Sequence, residues 1–292
     1  MAEDIRPLRT GKLDVDGQQI WWEYHGTGER EVVCLLNGLA MHTRSWYGFL
    51  PILVDEYDVI LYDYQGQGES SKDDIPYFIP EFARYLILIM DANDVEKIHL
   101  MGISYGGFIA MDFARLYQDR IDTLMLSGIL LSHEKLFSMY QDISLRFYTQ
   151  SEEIFEIYTH YMYEKIFGEA FVSKLSDEQL DSMRQRFYDR YVDHRHCLIR
   201  LTEAQNPFFG SLDDNMDGYR SIETPTLMVA GSQDRAIPLW QQKKICEILP
   251  NSRWMEIEGA GHVVYLEEPR VFFPLMKAFM KARSIDFEVP AP

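Results

Sequence analysis

An open α/β fold, with a mostly parallel central sheet and helices on both faces, is what the sequence of this 292-residue chain predicts. Three observations carry that expectation. Short apolar runs alternate with helix-like segments in the first 130 residues and again after residue 217. A serine stands between two glycines where one such run meets one such helix. A long helical, aromatic-rich stretch interrupts the alternation.

In chain order, residues 12–15 and 20–24 read as two strands around the turn signal Asp16-Gly17. The apolar run 32–36 is a third strand, followed by a helical segment near 45–54. A fourth strand over 59–62 leads to a helix from about Pro80 to Met90. Residues 98–101 form the next strand, 108–114 the helix after it, and 123–127 a sixth strand. Strands separated by helices of this length pair in parallel. The alternation then stops near Leu131 and resumes at Thr224, with strands over 226–231 and 254–257. The division expected is a core of residues 1–130 and 217–292 and a helical cap of 131–216 inserted after the sixth strand, with no Gly/Pro-rich tether. Residues 287–292 read as a frayed tail.

Bulk composition excludes several function classes. The chain is 47% hydrophobic and 25% charged, ordinary for a globular protein. A net charge of −18 would repel a nucleic-acid backbone. Cys34, Cys197 and Cys246 are odd in number and widely spaced, which argues for a reducing, cytoplasmic compartment. The N-terminus is charged at once and lacks a secretory apolar segment, and no apolar run is long enough to span a bilayer. Gly66-x-Gly68 lacks the third glycine and following helix of a dinucleotide loop, so no cofactor is expected. His194 and His196 alternate on a helix, point apart, and have no third ligand nearby, so no metal is expected either.

The chemistry-bearing stretch is Gly102-Ile103-Ser104-Tyr105-Gly106. A tight strand-to-helix turn there holds the Ser104 hydroxyl clear of the chain, with the Tyr105 N–H at a helix N-terminus facing the same space. Asp234 and His262 each follow an apolar strand, as Ser104 does, and open parallel sheets assemble their sites at such strand ends. A lone histidine near a C-terminus is more often a packing residue, and an aspartate before a proline-containing turn is often a helix cap. The order Ser104, Asp234, His262 favours a triad of nucleophile, acid and base.

With these residues the chain resembles the α/β-hydrolase fold family over nearly all of its length except the insertion. Asp63-Tyr64-Gln65-Gly66-Gln67-Gly68-Glu69-Ser70 is similar to that family's turn after the fourth strand, and Gly261-His262 with Glu268-Pro269 to its C-terminal signature. Asp234 with Pro238 is similar to its acid turn. Asn37-Gly38-Leu39-Ala40 stands where members usually carry His-Gly. The resemblance implies that Leu39 and Tyr105 supply the backbone N–H groups of an oxyanion hole.

Dehalogenases and epoxide hydrolases of this fold carry aspartate at the elbow, so Ser104 favours acyl transfer. The reaction expected is hydrolysis of a carboxylic ester with a small to medium apolar acyl group, through an acyl-serine. An acyltransferase or thioesterase acting on (hydroxy)acyl thioesters, a carbon–carbon bond hydrolase, and a non-catalytic receptor or scaffold are the alternatives. Tyr158, Tyr161 and Phe209 of the aromatic-rich insertion are the pocket candidates. The only partner expected is the small-molecule substrate.

Overall fold

The computed structural model describes residues 6–291. Its strands are β1 (Arg9–Val15), β2 (Gln18–His25), β3 (Val32–Leu36), β4 (Asp58–Tyr62), β5 (Ile98–Ile103), β6 (Ile121–Ser127), β7 (Thr226–Gly231) and β8 (Ser252–Ile257). They form one sheet in the order β1-β2-β4-β3-β5-β6-β7-β8. The β1–β2 and β2–β4 pairs are antiparallel and the other five pairs are parallel, the mostly parallel sheet read from the sequence. Asp16 and Gly17 turn the β1–β2 hairpin with φ of 53° and 83°, the left-handed pair that a two-residue hairpin turn requires.

Successive residues of a strand point to opposite faces, and both faces here are apolar. Cys34, Leu36, Ile60, Tyr62, Leu124 and Leu126 pack with residues of the helices Ile79–Ala92 and Tyr105–Tyr117. Val33, Leu35, Val59, Leu61 and Met125 pack on the other side with Trp46, Leu50 and the helix Pro269–Ala282. Every position of β3 and β4 is buried, which is why those runs show no polar alternation.

Two local expectations need correction. The helix near 45–54 is instead a 3-10 turn, Thr43–Trp46, and a single helical turn, Leu50–Leu53, separated by Gly48 and restarted at Pro51, whose missing N–H suits a helix start. The C-terminal stretch is not frayed at Phe287. That ring is buried against Phe279, and Arg253 Nη1 donates to the Ile285 and Phe287 carbonyls.

Between β6 and β7 lie the helices Lys135–Tyr148, Glu152–Ile166, Glu169–Val172, Asp177–Tyr191, Arg195–Glu203, Gln205–Gly210 and Leu212–Arg220. Ser151 and Ser176 cap the second and fourth of these by accepting from the backbone of Ile154 and Gln179. The segment has its own apolar cluster, in which Tyr148, Phe155, Tyr158, Phe187, Tyr191 and Leu198 gather with Ala40 from the loop after β3. Its last helix outruns residue 216 and returns to the sheet layers, with Gly218 against Arg115 and Tyr219 beside Asp112. Among the described residues no helix is long and apolar enough to cross a membrane.

Candidate active site

Ser104 joins β5 to the helix Tyr105–Tyr117 with φ 49° and ψ −122°, a conformation that L-residues rarely adopt. The turn is locked by Ser104 N donating to the Ser127 carbonyl at 2.8 Å and Gly107 N donating to the Ser104 carbonyl at 2.9 Å. Its glycines are needed for proximity. A Cβ on Gly102 would stand 2.7 Å from Ala110 Cβ, and one on Gly106 would stand 2.7 Å from the carbonyl oxygens of Leu36 and Asn37. The Tyr105 N–H, first in its helix, has no intrahelical acceptor.

Asp234 follows β7 and His262 follows β8. His262 Nδ1 lies 2.8 Å from Asp234 Oδ2, and both side chains are buried. Asp234 is held on every side. Its Oδ1 accepts from the N–H groups of Ala236 (2.9 Å) and Ile237 (2.8 Å), and its Oδ2 also accepts from Gln242 Nε2 at 2.8 Å. Gln242 Oε1 in turn accepts from Gly128 N, whose residue lies directly under the imidazole: a Cβ on Gly128 would stand 2.7 Å from His262 Cε1. Burial disfavours the imidazolium, yet the charge and hydrogen bond of Asp234, aided by the charge of Glu267, hold the His262 pKa above its ordinary value. Glu267 Oε2 accepts from Gly261 N (2.8 Å) and Gly168 N (2.9 Å), fixing the loop that carries His262.

The loop after β3 is built by polar groups that are buried but satisfied. Asn37 is fully buried: its Nδ2 donates to the Tyr62 carbonyl at 3.0 Å, and its Oδ1 accepts from Trp46 Nε1 at 2.8 Å. Gln67 Nε2 donates to the Gly38 carbonyl at 3.0 Å. Asp63 accepts from Thr43 N at 2.7 Å and Glu69 N at 2.9 Å, so the turn 63–70 scaffolds the loop. Burial pushes the Asp63 carboxyl up to about 6, against the pull of those two amides. Ala40 is left-handed, φ 63°, and its carbonyl accepts from Arg190 Nη1 at 3.1 Å. An asparagine thus occupies the position of the family's usual histidine by bridging β4 and Trp46.

Ser104, His262, Leu39 and Tyr105 line one cavity of about 290 Å³, with Asp234 behind the histidine. Of the pocket candidates, Tyr158 is in the lining, and its hydroxyl accepts from Tyr148 at 2.8 Å. Tyr161 and Phe209 stand outside it: Tyr161 stacks on Phe147, and Phe209 packs behind Phe108 and Phe137. Gln242 and Glu267 were not legible in the sequence, nor was the bond from Gln67 of the turn 63–70 to Gly38, because a glutamine or glutamate within a helix or turn carries no signal of its partner. His194 and His196 have ring centroids 6.0 Å apart, and His196 Nε2 lies 2.7 Å from the Lys72 carbonyl. Among the described residues no three His, Cys, Asp or Glu side chains are grouped to hold a metal.

The family described as "alpha/beta hydrolase fold" matches residues 31–269. The chain belongs to the alpha/beta hydrolase family. Within it, the chain is 25% identical over 263 residues to RutD of Pseudomonas savastanoi pv. phaseolicola, a carbamate hydrolase by name, covering 87% of this chain and 95% of that protein. It is also 25% identical over 251 residues to a poly(3-hydroxyalkanoate) depolymerase of Ectopseudomonas oleovorans, covering 85% and 83%. Among solved structures, the alpha/beta hydrolase MGS-M2, from a Medee basin deep-sea metagenome library, superposes with a TM-score of 0.85 at 23% identity, covering 96% of this chain and 100% of that one.

Proposed function

We propose that this alpha/beta hydrolase cleaves carboxylic esters of small to medium acyl groups through an acyl-serine, with Ser104, His262 and Asp234 as nucleophile, base and acid. The observation that carries the proposal is the His262–Asp234 pair, which opens onto the same cavity as a serine held at φ 49°. Asp234 keeps the imidazole proton on Nδ1, leaving Nε2 free to take the Ser104 proton as Oγ bonds to the ester carbon. Charge developing on the carbonyl oxygen is received by the N–H groups of Leu39 and Tyr105. Collapse breaks the ester C–O bond, and the alcohol leaves with the proton from His262. Water, deprotonated by the same imidazole, then attacks the acyl-serine and releases the acid. The relative named a poly(3-hydroxyalkanoate) depolymerase supports this reading, because hydroxyalkanoate units are joined through ester bonds. The helices between β6 and β7 act as a cap, since they supply Tyr140, Tyr148, Tyr158 and Phe187 to the cavity wall. Three cysteines, all free, support a cytoplasmic location.

The test is turnover of a 4-nitrophenyl alkanoate by the unaltered protein and by Ser104→Ala and His262→Ala. Each variant is expected to lose on the order of 10⁴-fold or more in kcat, with the double variant little worse than either. Near-normal turnover by Ser104→Ala would overturn the assignment.

A further inference from the structure

One wall of the cavity inverts the charge of the molecule. The chain has 46 acidic and 28 basic residues, Lys and Arg together, yet among the described residues the only Asp, Glu, Lys or Arg side chains in the cavity lining are Arg186 and Arg190. They alternate with Met183 and Phe187 along the helix Asp177–Tyr191 at the spacing of a single helical face, and all four line the cavity. Arg184, on the same helix, is paired with Asp181 at 2.9 Å. Arg186 and Arg190 have no such carboxylate partner among the described residues: Arg186 Nη1 donates to Ser182 Oγ at 2.7 Å, and Arg190 Nη1 to the Ala40 carbonyl at 3.1 Å. A guanidinium has five N–H donors, so most of theirs remain uncommitted.

Burial and the neighbouring Arg190 and Arg44 cations push His42 down to about 4, so that ring is neutral at neutral pH. The tether to Ala40 sets Arg190 one residue from Leu39, the candidate oxyanion donor.

We infer that the cavity takes esters which carry, besides the ester group, an ionised carboxylate, and that Arg186 and Arg190 bind it. This rests on the ester-hydrolase reading of the same site and names its substrate class: half-esters of dicarboxylic acids. An acidic surface would repel such a molecule, and a local pair of guanidinium forks reverses that repulsion where the substrate docks. The planar fork matches a carboxylate through two parallel hydrogen bonds, a geometry that lysine lacks.

The experiment compares two aryl esters of the same adipoyl chain, mono-4-nitrophenyl adipate and its methyl-capped neutral counterpart, at low and high salt. The unaltered protein is expected to favour the anionic ester by about tenfold or more in kcat/KM at low salt, and the preference shrinks as salt is added. Arg186→Gln and Arg190→Gln each lower the anionic-to-neutral ratio, and the Lys variants retain part of it. The neutral ester reports any damage to the Ala40 loop, so the ratio isolates charge recognition. Calorimetric binding of adipate itself, weakened about tenfold or more in the Arg186→Gln/Arg190→Gln protein, reads the same site without turnover. Turnover of both esters with no anionic preference, or a preference the double variant keeps, overturns the inference. If neither ester is cleaved but adipate binding still depends on the arginines, the anion site stands and the ester-hydrolase reading falls.

Discussion

At the scale of single residues, the histidine's surroundings fix a pH dependence. His262 has its pKa held above the ordinary 6.5 by Asp234 and Glu267 despite burial, and as the proposed base it would work only when deprotonated. The acid limb of kcat/KM is therefore expected above pH 6.5, rising toward alkaline pH, as a pH–rate profile with an aryl ester will read. Gln242 offers a sharper check because it touches the acid and not the base. Gln242→Leu removes the Nε2 bond to Asp234 and the acceptor for Gly128 N. A carboxylate with one donor fewer concentrates its charge on the imidazole, so the limb moves further up in pH. Thermal melting is expected to show a loss of about 1–3 kcal/mol, the cost of orphaning a buried partner. A limb that stayed in place would mean Gln242 is only packing.

At the scale of elements, the elbow holds Ser104 at a strained positive φ, and the turn 63–70 holds a buried carboxylate. Gly106→Ala would drive a Cβ to 2.7 Å from the Leu36 and Asn37 carbonyl oxygens at the end of β3, backbone that cannot step aside. Its expected cost is about 1–3 kcal/mol with a larger fall in turnover, measured by denaturant melts beside kinetics. Asp63 gives a stability signature of the opposite kind from a surface carboxylate. Its folded pKa, about 6, lies above the ordinary 3.8, so its contribution is fully present below 3.8 and is lost as pH rises through 6. Asp63→Asn should flatten stability against pH over that window while lowering it overall, because one oxygen cannot serve Thr43 N and Glu69 N as two do. The strands and the three candidate residues at their ends were legible in the sequence because an apolar run followed by a small-residue turn is a local pattern. The short helices after β3 and the buried Phe287 were not, since Pro51 and a distant Arg253 decide them. Nor could periodicity tell which rings of the helix Glu152–Ile166 face inward. Tyr158 lines the cavity, whereas Tyr161, three residues on, turns toward Phe147.

At the scale of the whole molecule, the proposed function has the inserted helices select the substrate and the residues at the sheet's strand ends carry the chemistry. Tyr158→Ala is expected to shift preference among acyl esters of graded length by about tenfold with turnover retained, while Phe209→Ala, whose ring packs behind the wall, lowers melting temperature and leaves that preference unchanged. The contact between the two parts is not confined to their chain connections. His262 N donates to the Ile166 carbonyl at 2.7 Å, Glu169 N donates to Gln233 Oε1 at 2.7 Å, and Arg235 donates to the carbonyls of Glu164 and Phe167. Glu267 spans Gly261 and Gly168. The midpoint of the insertion is therefore latched to the very loop that carries the imidazole, and a swing of the insertion as one rigid flap would drag the base off its aspartate. On the proposed reading, traffic in and out is expected to pass by side-chain motion at the mouth, with the latch closed. In deuterium exchange the amides of Gly168, Gly261 and His262 should behave as one slow, cooperative group, exchanging together and well behind the exposed helix ends around Ser151 and Ser176.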